Sequence, residues 1–170
     1  MTLHFINAQL IDPEAGTVTH GTLKVENGKI AAILDANASI PSDAQIVDCR
    51  GKYLAPGIVD LGVKVCEPGE RHKESFRSAG LAAAAGGVTT MVTRPDTNPT
   101  IDSPEVLEFV TRRANEAAPV NVVPMAALTK GREGREMTEI GFLMDAGAVG
   151  FTDCDRIVTD TKVFSRALTY

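Results

Sequence analysis

An ammonium, a thiol and two carboxylates, those of Lys64, Cys66, Asp96 and Asp153, stand where apolar segments of the sequence give way to polar ones. The segment Ile58 to Val65 reads as a strand. Side chains two apart on a strand point to the same side, so Gly62 and Lys64 share an edge. Two imidazoles at that spacing would hold a metal ion. Glycine offers no ligand atom and lysine is a cation at pH 7, so this edge is not expected to bind zinc. Cys66 and Asp153 are both ligand types, but two ligands beside an ammonium make a poor metal site. The three histidines do not rescue it: His4 lies in the first β segment, His20 in a turn and His72 in a loop before a helix, and no two share a ligand spacing. Cys66 has no histidine near it in sequence to activate it and reads as a packed thiol. Asp96, between Pro95 and Thr97, suits a turn or helix cap as well as a site. Asp153 and Asp155, taken alone, read as loop or capping carboxylates. If Asp153 points inward, its charge needs a partner. Lys64 is expected to supply it, directing its ammonium toward Asp153 or, failing that, Asp96.

Two kinds of element must position these groups. From Leu3 to Leu54 short alternating segments, Leu3 to Leu10, Thr22 to Glu26, Ile30 to Leu34 and Gln45 to Asp48, are divided by turn clusters at 12–16 and 26–29, which predicts a small antiparallel β unit over residues 1–55. From Gly57 near-continuous apolar strands take over, at Ile58 to Val65, Val88 to Thr93, Val120 to Ala127 and Ala148 to Thr152. They alternate with helical stretches near Lys73 to Ala85, Pro104 to Ala117, Thr138 to Ala146 and Asp160 to Thr169. That is the pattern of buried parallel strands with crossover helices, an α/β fold. Ser103 as N-cap with Pro104 in the first helical position makes a good helix start. In barrels of this type the chemistry gathers at the C-terminal ends of the strands. Lys64, Cys66, Asp96, Lys130 and Asp153 all fall there.

Composition narrows the function classes. With 44% hydrophobic and 23% charged residues and a formal net charge of -5, the chain is an ordinary globular one. Mild acidity argues against nucleic acid, which wants clustered Lys and Arg. No apolar run approaches the roughly 20 residues of a membrane span, and no signal peptide follows Met1. The three cysteines, Cys49, Cys66 and Cys154, are odd in number and far apart, against a disulfide framework. The cytoplasm is the expected compartment.

The run Gly57 to Gly69, then His72-Lys73-Glu74, Ala82 to Thr90, Arg94-Pro95-Asp96-Thr97-Asn98-Pro99, Thr129-Lys130-Gly131 and Gly147 to Asp153, resembles the dihydroorotases in order and spacing. These are cyclic amidohydrolases of pyrimidine synthesis, and the likeness is closer still to the dihydroorotase-like chains that have lost the site. The resemblance implies a TIM-type (β/α)8 amidohydrolase barrel with a small flanking β-sandwich domain. Residues 1–55 would be the N-terminal part of the β domain and residues 56–170 the first half of the barrel. Such a barrel takes about 250 residues, so the 170 here are expected to be the N-terminal part of a longer chain.

Carried over by position, the family's metal-binding His pair falls on Gly62 and Lys64. The substrate-binding Arg falls on Cys66, the substrate-binding Asn on Asp96, and a bridging acidic ligand on Asp153, the one survivor. The remaining family ligands would lie beyond residue 170. Losing a bidentate charge-assisted contact to the substrate carboxylate, and with the metal both Lewis acid and activated water, implies a non-catalytic homologue with no cofactor, where the active relatives carry zinc. The resemblance further implies an oligomer and a scaffold or regulatory partnership with aspartate carbamoyltransferase. Two alternatives stand beside it: an active zinc-dependent cyclic amidohydrolase using an altered ligand set, and a protein whose remodelled pocket binds a small ligand.

Overall fold

The structure, a computed structural model, describes residues 2–170. It divides into two compact units between Pro56 and Gly57.

The first unit is one sheet of five strands: β1 Thr2–Asp12, β2 Thr17–Glu26, β3 Lys29–Asp35, β4 Gln45–Asp48 and β5 Tyr53–Leu54. The order is β3-β2-β1-β4, with β5 also on β1. β1, β2 and β3 pair antiparallel because short turns join them. Asn27 and Gly28 both take positive φ, 50° and 76°, the backbone that a two-residue hairpin turn demands. At the other turn the Asp12 carboxylate accepts from the N–H groups of Glu14 and Ala15 at 3.0 and 3.1 Å. β4 and β5 run parallel to β1, so the sheet is mixed and not antiparallel as expected. The reason is the connection: after β3 the chain crosses from one edge of the sheet to the other instead of folding back in a hairpin. Among the described residues this unit holds a single sheet. His20 also departs from expectation, since it lies inside β2 opposite Gln9; the run Thr17-Val18-Thr19 ahead of it suits a strand.

The second unit carries the strand–helix alternation. β6 Ile58–Val63, β7 Val88–Thr93 and β8 Asn121–Pro124 form a parallel sheet in that order. Helices α1 Phe76–Ala85, α2 Pro104–Ala117, α3 Ile140–Asp145 and α4 Thr161–Thr169 follow in turn. The expected fourth strand is reduced to one parallel bridge, Ala126 to Phe151. Backbone pairing continues around it, with Ala126 N–H donating to Gly150 O at 2.9 Å and Thr152 N–H to Ala126 O at 3.0 Å. The core lies between sheet and helices. Phe76 of α1, Met91 of β7, Leu107 and Val110 of α2, Val122 of β8 and Leu143 of α3 are all buried there. Leu107, Val110 and Ala114 recur three and four residues apart, the buried stripe of a helix that faces a sheet.

Local chemistry sets the boundaries. Ser75 and Ser78 cap α1 reciprocally: the Ser75 hydroxyl accepts from Ser78 N–H at 3.1 Å, and Ser75 N–H donates to the Ser78 hydroxyl at 2.9 Å. Ser103 sits at the N-cap of α2 with extended backbone and Pro104 behind it, but its hydroxyl makes no capping bond. α3 starts at Ile140 because Thr138 faces elsewhere, donating its hydroxyl to Ala127 O at 2.8 Å. β6 ends at Val63, two residues before expectation. The ladder to β7 shifts register between Leu61 and Val63, where Gly62 takes φ of 85°, a conformation open to glycine and strained for other residues. Lys64 and Cys66 therefore lie in the loop beyond β6.

Candidate functional site

The C-terminal ends of the parallel strands bring together the loops that leave β6, β7 and β8 and the segment after Phe151. Lys64 follows β6 directly, and Arg94-Pro95-Asp96 follows β7. The Asp96 side chain is 4% exposed and is held by two cations. Arg94 grips it with both arms of its guanidinium, Nε to Oδ1 at 3.1 Å and Nη2 to Oδ2 at 2.9 Å. The Lys64 ammonium completes the cluster at 3.0 Å from Oδ2, and this hydrogen bond with its charge attraction raises the Lys64 pKa above the ordinary lysine value. Lys64 thus takes the second of its two expected partners and not Asp153.

Asp153 has no need of a cation. Its Oδ1 accepts from the N–H groups of Leu128 and Thr129, each at 3.0 Å, and its Oδ2 from the Thr129 hydroxyl at 2.5 Å. The Thr129 oxygen in turn accepts from Gly134 N–H at 2.8 Å. The carboxylate is 5% exposed and its charge is spread over neutral donors, the capping role that its residue type alone suggested.

At these strand ends lies an open depression of about 280 Å³ lined by Gly62, Arg94, Met125, Thr152, Cys154 and Asp155. Asp155 accepts from Arg132 Nη1 at 3.0 Å and lies 3.9 Å from Arg94 Nη2. Its own backbone N–H, then Arg132, hold it below the usual carboxylate range. Burial pushes the Cys154 thiol up, with Asp96 adding to the effect against Arg94 and Arg132. Lys130 stands apart, paired with Glu136. Cys66 is half-buried, and its carbonyl accepts from Glu70 N–H at 2.7 Å to close a turn.

That turn contains the group that sequence reading missed. Glu67 is 5% exposed and ties three elements together. It accepts from Arg113 Nε of α2 at 2.8 Å and from Phe76 N–H at the start of α1 at 3.0 Å, with Arg71 at 3.5 Å. Burial opposes the charged form, yet the Arg113 hydrogen bond, the Phe76 N–H and the two guanidinium charges hold Glu67 below its ordinary value. Arg94 was missed too, although an arginine two residues before an aspartate at a strand end was a signal within the quoted motif. Glu67 and Arg113 are 46 residues apart and carried none.

A family model described as Dihydro-orotase-like matches residues 51–170, more than half of the chain. The chain belongs to the dihydroorotase-like family. It is 40% identical over 162 residues to a dihydroorotase of Syntrophus aciditrophicus, covering 95% of this chain and 38% of the relative. It is also 40% identical over 170 residues to a "dihydroorotase-like protein" of Pseudomonas putida, covering 100% of this chain and 40% of the relative. The chain spans about two fifths of the length of these curated relatives. Among solved structures it resembles an L-hydantoinase of Arthrobacter aurescens, with a TM-score of 0.75 and 25% identity over 88% of this chain and 32% of that one. A D-hydantoinase gives 0.64 and 27% over 76% and 28%. As a dihydroorotase-like amidohydrolase family member, the chain shares the strand–helix architecture of its second unit with these enzymes.

Zinc, the metal that the active relatives of the resemblance imply, does not fit the side chains present. Gly62 has no donor atom, the Lys64 ammonium is bound to Asp96, and both Asp153 oxygens already accept hydrogen bonds that hold the loop at 128–129. No group of three or more His, Cys, Asp or Glu among the described residues is placed to hold a metal ion. No described helix is long and apolar enough to cross a membrane.

Proposed function

We propose that this chain is part of a dihydroorotase homologue of pyrimidine biosynthesis whose strand-end site carries no catalytic metal. The protein serves as a scaffold or regulatory partner of aspartate carbamoyltransferase. Gly57–Tyr170 would be the first half of an amidohydrolase barrel, and the first five strands part of its flanking domain. One observation carries the reading: at the strand ends a cation sits where a cation-binding group is needed, and that cation is already bound to Asp96 at 3.0 Å. Hydrolysis of a cyclic amide at such a site lacks both the polarised carbonyl and the activated water that a metal supplies. The partner is supported by the resemblance to inactive dihydroorotase-like chains, and the P. putida relative named "dihydroorotase-like protein" is as similar to this chain as the dihydroorotase of S. aciditrophicus.

The test is made on the full-length protein. Metal analysis should find zinc well below one equivalent, dihydroorotate should not be hydrolysed, and an aspartate carbamoyltransferase chain from the same cells should co-purify. One tightly held zinc per chain with chelator-sensitive turnover would favour the active enzyme instead. A zinc-free protein without the transcarbamoylase would leave the small-ligand reading.

A further inference from the structure

We propose that the loops leaving β6 and β7, which carry Lys64 and Asp96, move as one body at the strand ends, and that Arg113 on helix α2 is the lock of that body. Arg113 makes its ion pairs with Glu67 and Glu116, not with Lys64 or Asp96. It positions both through Glu67, whether or not the site carries a metal.

The two loops are fastened along their length. At the inner end Arg94 N–H donates to Val63 O at 2.9 Å, and the Lys64 ammonium lies 3.0 Å from Asp96 Oδ2. Further out Asn98 N–H donates to Pro68 O at 3.2 Å. Gly69 takes φ of 105° and packs so closely that a Cβ there would stand 2.5 Å from Asn98 O. With no side chain between them at that point, neither loop can shift without displacing the other.

Glu67 decides where the first loop lies. Its carboxylate is buried, and a buried charge must be paired or drawn toward water. Arg113 is the cation that hydrogen-bonds it, Nε to Oε1 at 2.8 Å. Arg71 stays 3.5 Å away on an exposed side chain, where solvent screens its charge. Without Arg113 the carboxylate keeps only the Phe76 N–H as a close partner and must seek water, which carries Pro68 and Gly69 outward and Asn98 with them. The Lys64–Asp96 pair cannot hold the loops back, because Lys64 is exposed and its attraction is screened.

A second carboxylate competes for the lock. Glu116, one turn along α2, is exposed and stands 3.6 Å from Arg113 Nη1. The guanidinium thus lies between a buried carboxylate that holds the loops down and an exposed one that would release them. The strand ends are in this way governed from a helix that contributes no residue to them.

The experiment is hydrogen exchange on the full-length protein, read by mass spectrometry. N-ethylmaleimide labelling of Cys66 is the second readout, with Cys49 of the first unit as internal control. Arg113→Met should speed exchange over both 64–75 and 94–99 by roughly tenfold, as loss of a hydrogen bond to a charged group allows. Labelling at Cys66 should rise, while Cys49 and the amides of β7 and β8 keep their wild-type rates. Arg113→Lys, which keeps a cation within reach, should show a smaller rise, and Glu116→Gln, which removes the competitor, should slow both loops. A rise confined to 64–75 would overturn the single body, and wild-type rates in both loops would overturn the lock. If Arg113→Met fails to fold, Glu67→Gln takes its place, with the same rise expected in both loops and the same two results against it.

Discussion

Asp96 and Asp153 are both almost fully buried at the same end of the same parallel unit, 4% and 5% exposed, and they are satisfied in opposite ways. Asp96 is held by charge, from Lys64 and Arg94. Asp153 is held by neutral donors, two backbone N–H groups and one hydroxyl. The difference teaches that an acidic residue at a strand end does not specify its own partner. The Asp96 cluster depends on long side chains that reach in from solvent, since Lys64 is 55% exposed. The Asp153 knot depends on backbone, and the loop 128–134 keeps its shape through it. Glu67 stands between the two, with one backbone N–H and two guanidiniums.

The comparison is broken most directly at Asp153. Asp153→Ala strands the N–H groups of Leu128 and Thr129 and should cost about 3 kcal/mol in urea unfolding, with faster hydrogen exchange at those two amides. A loss below 1 kcal/mol would show that the loop holds itself. Glu67→Gln comes next, at about 2 kcal/mol. Glu67 has a lowered pKa in the folded protein, so its contribution is fully present above the ordinary value of 4.5 and is lost as pH falls through the lower folded value. The wild type should therefore shed stability between pH 4.5 and more acidic conditions, and the Gln variant should lack that segment of the profile. The smallest effect is at Lys64. Its exposure screens the pair, so Lys64→Met should cost about 1 kcal/mol or less. Raising salt from about 0.1 M to about 1 M should shrink that cost while leaving the cost of Asp153→Ala unchanged. Equal salt sensitivity at both sites would erase the distinction.

Legibility in the sequence followed the range of the interaction. α2 runs over Pro104–Ala117 as the Ser-Pro start and apolar spacing predict, because both signals are local. The alternating strands of the first unit were legible for the same reason. The parallel placement of β4 and β5 was not, since periodicity shows that a strand exists and says nothing of its neighbour. β6 stopped early at a glycine whose type was visible but whose positive φ was not. At the site, the sequence narrowed Lys64 to two carboxylates and could not choose between them. The choice depends on the Thr129 hydroxyl and two amides, which occupy Asp153 from a loop 24 residues away. Glu67 and Arg113 meet only because helix α2 returns over the sheet.

The turn at Asn27-Gly28 has a kinetic consequence. It closes β2 on β3 over two residues, and a four-residue turn closes β1 on β2, so that hairpin pair can form in microseconds from contacts between near neighbours. Each parallel pairing in the second unit must wait for a crossover of more than twenty residues, including its helix, to be ordered first, which is slow. Contacts within the first three strands are therefore short in sequence, and those that join β6, β7 and β8 are long. In the Asp96 cluster the Arg94 contact spans two residues, whereas the Lys64 contact spans the crossover between β6 and β7.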